Sequence, residues 1–174
     1  MNKNKIVSLV SSLIAELGED VNREGLKDTP RRVAEAYAQI YSGYSEKTKL
    51  DTSFVMHKDL SSSNLITISS IRFYSICEHH LLPFFGNITI EYKPNGKVLG
   101  ASKFVRICNH YARRMQIQER LTQQVLEEIV GITDTEYCKV SITAKHLCMM
   151  MRGVENDTAE FNTSAEHGHL NSNI

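Results

Sequence analysis

Apolar residues first recur at helical spacing. Ile6, Val7, Val10, Leu13, Ile14 and Leu17 form one stripe, and Gly18 ends it. A second helix is expected from Asp28-Thr29-Pro30, where Thr29 can cap and Pro30 suits the first helical position. Val33, Ala36, Tyr37, Ile40 and Tyr41 make its apolar face, and Gly43 closes it. Residues 44–63 are polar and irregular and read as a surface connection. From Asn64 the period falls to two: Leu65, Thr67 and Ser69 alternate with Ile66, Ile68 and Ser70. Residues 86–92 (GNITIEY) alternate again, and Pro94-Asn95-Gly96 marks a turn into Val98 and Leu99. Ser102 opens a third helix, with Phe104, Ile107, Cys108, Tyr111 and Met115 as its buried face. A fourth begins near Gln118 and turns Leu121, Val125, Leu126 and Ile129 inward. Residues 138–143 and 144–154 read as strands, and the polar stretch 155–174 as a frayed tail. The order predicts an α+β fold, an antiparallel sheet with helices on one face. One domain is expected, with an N-terminal helical part (1–43), a sheet-and-helix part (64–154) and the tail (155–174).

Composition narrows the function classes. The chain has 174 residues, enough for a core that folds without staples. Lys plus Arg and Asp plus Glu both total 20, which argues against a general polyanion or nucleic-acid binder. There is no run of 18 apolar residues, so no membrane-spanning helix is expected. The basic, partly apolar N-terminus superficially looks like a signal peptide, but Ser11, Ser12, Glu16, Glu19 and Asp20 interrupt it at helical spacing. Four cysteines at irregular spacing fit a reducing, cytoplasmic compartment better than a disulfide framework.

The candidate chemistry centres on residues 77–80, Cys-Glu-His-His. Thiolate sulfur and neutral imidazole are the preferred zinc ligands, and Cys77 and His80 are close enough in sequence for one turn to aim both at an ion. A third ligand must come from elsewhere, and Cys148 in the run 145–152 (KHLCMMMR) is the best candidate. If that run is a strand, His146 and Cys148 share a face. His79 and His146 then stand beside the ion unligated, and a fourth position is left for water, as in catalytic sites. Buried cysteines and hydrogen-bonded histidines are the plainer reading of these residues. A structural zinc completed by Cys108, Cys138 or His110 also satisfies the spacing, and His167 and His169 add two nitrogen donors in the tail. Lys103, Arg106, His110 and Arg113 recur along the third helix, and such a face is usually solvated. Ser102, Lys103 and Arg106 nevertheless occupy its N-terminal turns, where cations oppose the helix dipole unless an anion such as phosphate sits between them. Glu119 falls in the first turn of the fourth helix, where a carboxylate also caps well.

The sequence resembles GTP cyclohydrolase I in five runs: 28–37 (DTPRRVAEAY), 77–86 (CEHHLLPFFG), 96–107 (GKVLGASKFVRI), 112–124 (ARRMQIQERLTQQ) and 146–154 (HLCMMMRGV). A weaker match lies at 162–168 (NTSAEHG). The resemblance implies a tunnel fold, with subunit sheets joined into rings and two rings stacked as a homodecamer whose active sites lie between subunits. It implies one zinc ion per subunit on Cys77, His80 and Cys148, and catalytic roles for His79, His146 and Ser102. Glu119, with Gln118, would read guanine through its N1–H and 2-amino group, and Ser102, Lys103, Arg106 and Arg152 would hold the triphosphate. The implied reaction opens the guanine imidazole ring of GTP with water, releases formate, and rearranges the ribose to give 7,8-dihydroneopterin triphosphate. The chain departs from the family pattern after Gly168, where the usual aromatic and acidic ending is missing, and at Ala101, often a larger aliphatic residue. Two competing expectations are a nitrile reductase of deazaguanine metabolism, which uses a nucleophilic Cys and NADPH, and a non-enzymatic zinc module. The Cys-His-Cys set beside an anion-binding helix disfavours the first, and the balanced charge disfavours the second as a nucleic-acid binder.

Overall fold

A computed structural model describes residues 1–45, 64–96 and 98–170. Residues 46–63 of the expected surface connection (44–63) and the last four residues of the tail lie outside the described residues. Residues 1–42 and 43–174 pack as two separate units. In the first, helix α1 (Lys3–Glu16) starts at Asn2, whose side chain accepts from the Lys5 backbone N–H at 3.0 Å. Helix α2 (Thr29–Ile40) begins at Asp28 rather than at a Thr29 cap, and Asp28 makes no capping hydrogen bond. Its carboxylate faces Arg32 instead, at 3.3 Å, and the fixed φ of Pro30 suits the first turn.

The second unit is built on a five-stranded sheet. Strands β1 (Ile66–Cys77), β2 (Pro83–Tyr92), β3 (Met115–Gln116), β4 (Cys138–His146) and β5 (Phe161–His167) lie in the order β3-β1-β2-β4-β5. All pairings are antiparallel except the short β1–β3 pair. Helices α3 (Ala101–Ala112) and α4 (Gln118–Thr133) cover one face. Alternate strand residues Ile71, Phe73, Ile88, Ile90, Val140 and Ile142 meet Phe104, Ile107, Leu121, Val125 and Ile129 of those helices in a single apolar core. Each fully buried side chain of this size contributes about 1.5–3 kcal/mol relative to exposure. The α+β expectation with helices on one face therefore holds. Gly86 is required in mid-β2, because a Cβ there would collide with the Thr143 carbonyl of β4.

Four expectations change. Residues 144–154 are not a strand: β4 stops at His146 and Leu147–Met150 form one helical turn, α5. That run has no β-branched residue, and Leu and Met are good helix formers. The tail is not wholly frayed, since β5 pairs with β4 from Ala144↔Phe161 to Cys138↔His167. Its polar sequence conceals a strand because its residues lie at a sheet edge, where few are buried. Met115 is not on the buried face of α3, which ends at Ala112; it is 40% exposed at the start of β3. Finally, β2 begins at Pro83, three residues before the alternation becomes legible.

The core also carries a pH dependence. Burial pushes the Cys108 and Cys138 thiols from 9.0 up to about 12. The fold disfavours their ionised forms, so their contribution to stability is full below pH 9.0 and is lost as pH rises toward about 12. The calorimetric Tm should be level from about pH 7 to about pH 9 and then fall. A Cys108→Ala/Cys138→Ala variant should be less stable at neutral pH but fall less steeply in alkali. It should still fall, because burial and the Glu128 hydrogen bond also raise Tyr111 to about 12. Equal alkaline slopes in the two proteins would contradict this assignment.

Candidate functional site

The register brings the chemistry to one end of the sheet. Cys77 ends β1 opposite Gln116 of β3, and Phe84 near the start of β2 faces His146 at the end of β4. After Cys77 the chain reverses tightly: Leu81 N–H donates to the Cys77 carbonyl at 2.9 Å and Cys77 N–H to that of Leu82 at 2.9 Å. Leu81 takes a φ of 55°, a conformation uncommon for a non-glycine residue, which a tight reversal imposes. The turn folds His80 back so that its Nδ1 lies 3.7 Å from Cys77 Sγ. Cys148 enters from α5, and the three ligand atoms lie within 4.8 Å of one another. A tetrahedral zinc with Zn–S of about 2.3 Å and Zn–N of about 2.0–2.1 Å spans about 3.6 Å between sulfur and nitrogen, so this donor set fits zinc. Burial first, and then the Cys77 thiol, push the Cys148 thiol up. Loading a cation must therefore displace a proton.

Among the described residues no other group of three such side chains forms a metal cluster. Cys108 and Cys138 are sealed in the core, His110 packs on Tyr111, and His167 sits in β5, so none of them completes a fourth position. Cys148 reaches the site from a helical turn, not from a strand face shared with His146. The ligand set expected from the sequence is thus brought together by a different local structure.

A cavity of about 170 Å³ adjoins the cluster, and Cys77, His79, His80, Glu119, His146 and Cys148 line it. His146 is stacked flat on Phe84, with centroids 4.6 Å apart, and Phe161 meets its edge at 5.6 Å. Burial pushes its pKa below 6.5, opposed by the Glu119 carboxylate. Gln118 and Glu119 start α4, but their environments differ. Gln118 is 1% exposed and spends its amide inside the protein, whereas Glu119 is exposed along the cavity rather than buried.

Ser102, Lys103 and Arg106 do occupy the first turns of α3, yet neither they nor Arg152 line this cavity. Arg152 is exposed just beyond α5, where its guanidinium approaches the Cys148 carbonyl at 3.5 Å. Sequence reading missed the Glu78–Arg120 pair, a two-pronged bridge at 2.6 and 3.0 Å that ties the metal turn to α4. The arginine hydrogen bond holds the Glu78 carboxyl below its usual range. It also missed Phe161, which lines the cavity, Phe84, which stacks on His146, and Thr163, which meets Gln118, because nothing in an apolar run or a polar tail announces such contacts. A larger hollow of about 360 Å³, lined by Arg72, Tyr74, Phe85 and Lys145, holds none of these donors.

Comparison with known proteins decides the family. The model of the GTP cyclohydrolase I family matches residues 6–174. The chain belongs to the GTP cyclohydrolase I family. It is 45% identical over 170 residues to GTP cyclohydrolase 1 of Hahella chejuensis, covering 98% of this chain and 90% of the relative. It is 48% identical to the Hyperthermus butylicus protein of that name over 156 residues (90% and 78% covered). Identity to the Methylococcus capsulatus protein of that name is also 48%, over 164 residues (92% and 86%). A crystal structure of the archaeosine synthase QueF-Like in its apo form matches with a TM-score of 0.53 at 22% identity, over 64% of this chain and 100% of that one. That likeness is one of fold alone.

Proposed function

We propose that this chain is a zinc-dependent GTP cyclohydrolase I, converting GTP and water to formate and 7,8-dihydroneopterin triphosphate. One observation carries the reading: in a member of this family, Cys77, His80 and Cys148 converge beside His146 and Glu119 in one cavity. Zinc held there supplies Lewis-acid activation of water near neutral pH. The Glu119 carboxylate accepts in parallel from guanine N1–H and the 2-amino group and fixes the base. His146, as imidazolium, gives a proton to guanine N7, which makes C8 more electrophilic, and returns to its neutral form; burial, by disfavouring the charged ring, makes that proton easier to release. Gln118 serves recognition through the placement of Glu119 and His146, since its own amide is engaged inside the protein. Ser102, Lys103, Arg106 and Arg152 hold the triphosphate, whose several negative charges require such a field. His79 and Ser102 are the proton carriers for ribose opening and closure.

A cavity of about 170 Å³ is too small to enclose a nucleotide, since ligand sites run about 300–1,000 Å³. The phosphate-holding side chains also lie outside it. Both facts support an active site completed by a neighbouring subunit, in a ring-forming homodecamer with one zinc per chain. No described helix is long and apolar enough to cross a membrane, and all four cysteines are free thiols, which supports a reducing, cytoplasmic setting. Folate, biopterin and deazaguanine synthesis are the candidate uses of the product.

The test is incubation of the zinc-loaded protein with GTP, with formate and pterin fluorescence measured together. Both should appear at equal rates. Neither signal from a fully loaded protein would overturn the reading, and formate without pterin would overturn the assignment of the later steps to His79 and Ser102.

A further inference from the structure

The hydrogen bonds around Gln118 fix their own direction. Its Nε2 faces the Ile142 carbonyl at 3.1 Å, the Phe161 carbonyl at 2.8 Å and the Thr163 hydroxyl at 3.2 Å. The two carbonyls can only accept, so the amide nitrogen must point at them; a flipped amide would set three oxygens against one another. The hydroxyls follow suit. Thr122 donates to the Gln118 backbone carbonyl at 2.8 Å, so its oxygen accepts from Thr163 Oγ1–H at 2.7 Å. Thr163, having donated, shares one of the two Gln118 amide protons with the carbonyls. Gln118 Oε1 is thereby left facing His146 Nε2 at 2.9 Å, and an amide oxygen has no proton to give.

We infer that Gln118 and Thr163 are positioning residues that hold neutral His146 as its Nε2–H tautomer and leave Nδ1 to exchange protons with the substrate. The inference deepens the proposed function and rests on its assignment of His146 as a proton carrier. Nδ1 has no protein hydrogen bond among the described residues. Stacking on Phe84 prevents the ring from tilting away, so the contact with Oε1 decides which nitrogen is protonated. Strand β5 thus does more than extend the sheet. Its Phe161 carbonyl and Thr163 hydroxyl set the orientation of the amide that sets the imidazole.

The experiment uses full-length, zinc-loaded protein with ¹⁵N-labelled histidine. Solid-state NMR at about pH 8.5, above the ordinary imidazole range near 6.5, reads the nitrogens of neutral His146, identified by difference from His146→Ala. The expected result is a protonated Nε2 and a bare Nδ1 in the wild type, and a mixture of tautomers in Gln118→Met. If Gln118→Met fails to fold, Thr163→Val provides a weaker comparison: the two carbonyls still hold the amide, so a smaller loss of the Nε2–H tautomer is expected. Thr163→Val should also lower kcat for formate release about tenfold with KM little changed, and Thr163→Ser should restore most of it. A protonated Nδ1 or an even mixture in the wild type would overturn the inference, as would a Thr163→Val effect that Thr163→Ser does not relieve. The NMR result needs no GTP. A single Nε2–H tautomer in a protein that releases no formate would sustain the positioning role and overturn the cyclohydrolase reading instead.

Discussion

Cys148→Ala should abolish stoichiometric zinc binding and lower formate release by more than about 1,000-fold, because the metal lowers the pKa of water by about 9 units. Two protein ligands remain, Cys77 and His80, and two are too few for a tight zinc site. The fold should survive. Cys148 is half-buried in the short α5 and packs against the core without belonging to it, so the change in Tm should stay within a few degrees. Zinc content by elemental analysis, formate release and a melting curve on one preparation separate the metal effect from unfolding. A variant that keeps one zinc per chain would remove Cys148 from the ligand set. Loss of zinc together with collapse of the melting transition would mean that the thiol is structural.

Glu119→Gln should lower kcat/KM for GTP about 1,000-fold while zinc content stays at one per chain, since a site built to hydrogen-bond its substrate leaves groups unpaired when one partner changes. The carboxylate presents two acceptors to two donors. A glutamine presents one acceptor and one N–H, so one guanine donor meets another donor. The mutation costs the fold little, because Glu119 is exposed and makes no side-chain hydrogen bond within the protomer among the described residues. Its exposure also means that bound substrate must supply the desolvation that makes the contact selective. An unchanged kcat/KM would place guanine recognition elsewhere. Lost zinc would show that the residue acts through the metal cluster.

The helices were the most legible part of the chain. Ile107 and Cys108 of α3, and Leu121, Val125 and Ile129 of α4, lie inward as their spacing requires, because one apolar face per helix meets one sheet. The metal cluster was legible as residue types, since Cys and His concentrate at 77–80 and 146–148. Its geometry was not. Cys148 comes from a helical turn that local apolar alternation mistook for a strand. Strand β5 was hidden because an edge strand with both faces largely wet carries no apolar period. Hidden with it was the link from Thr163 through Gln118 to His146, which spans 45 residues between Gln118 and Thr163. Such contacts depend on strand register, which single-sequence periodicity does not encode. Gln118 illustrates the difference: adjacency to Glu119 marked it for the substrate, while its burial commits its amide to the sheet.

The most direct test of the central claim is a zinc titration of the chelator-stripped protein with GTP present and formate measured. The account predicts no formate without metal, a linear rise as zinc is restored, and saturation at one ion per chain. Full activity in stripped protein would contradict it, as would saturation at any other ratio.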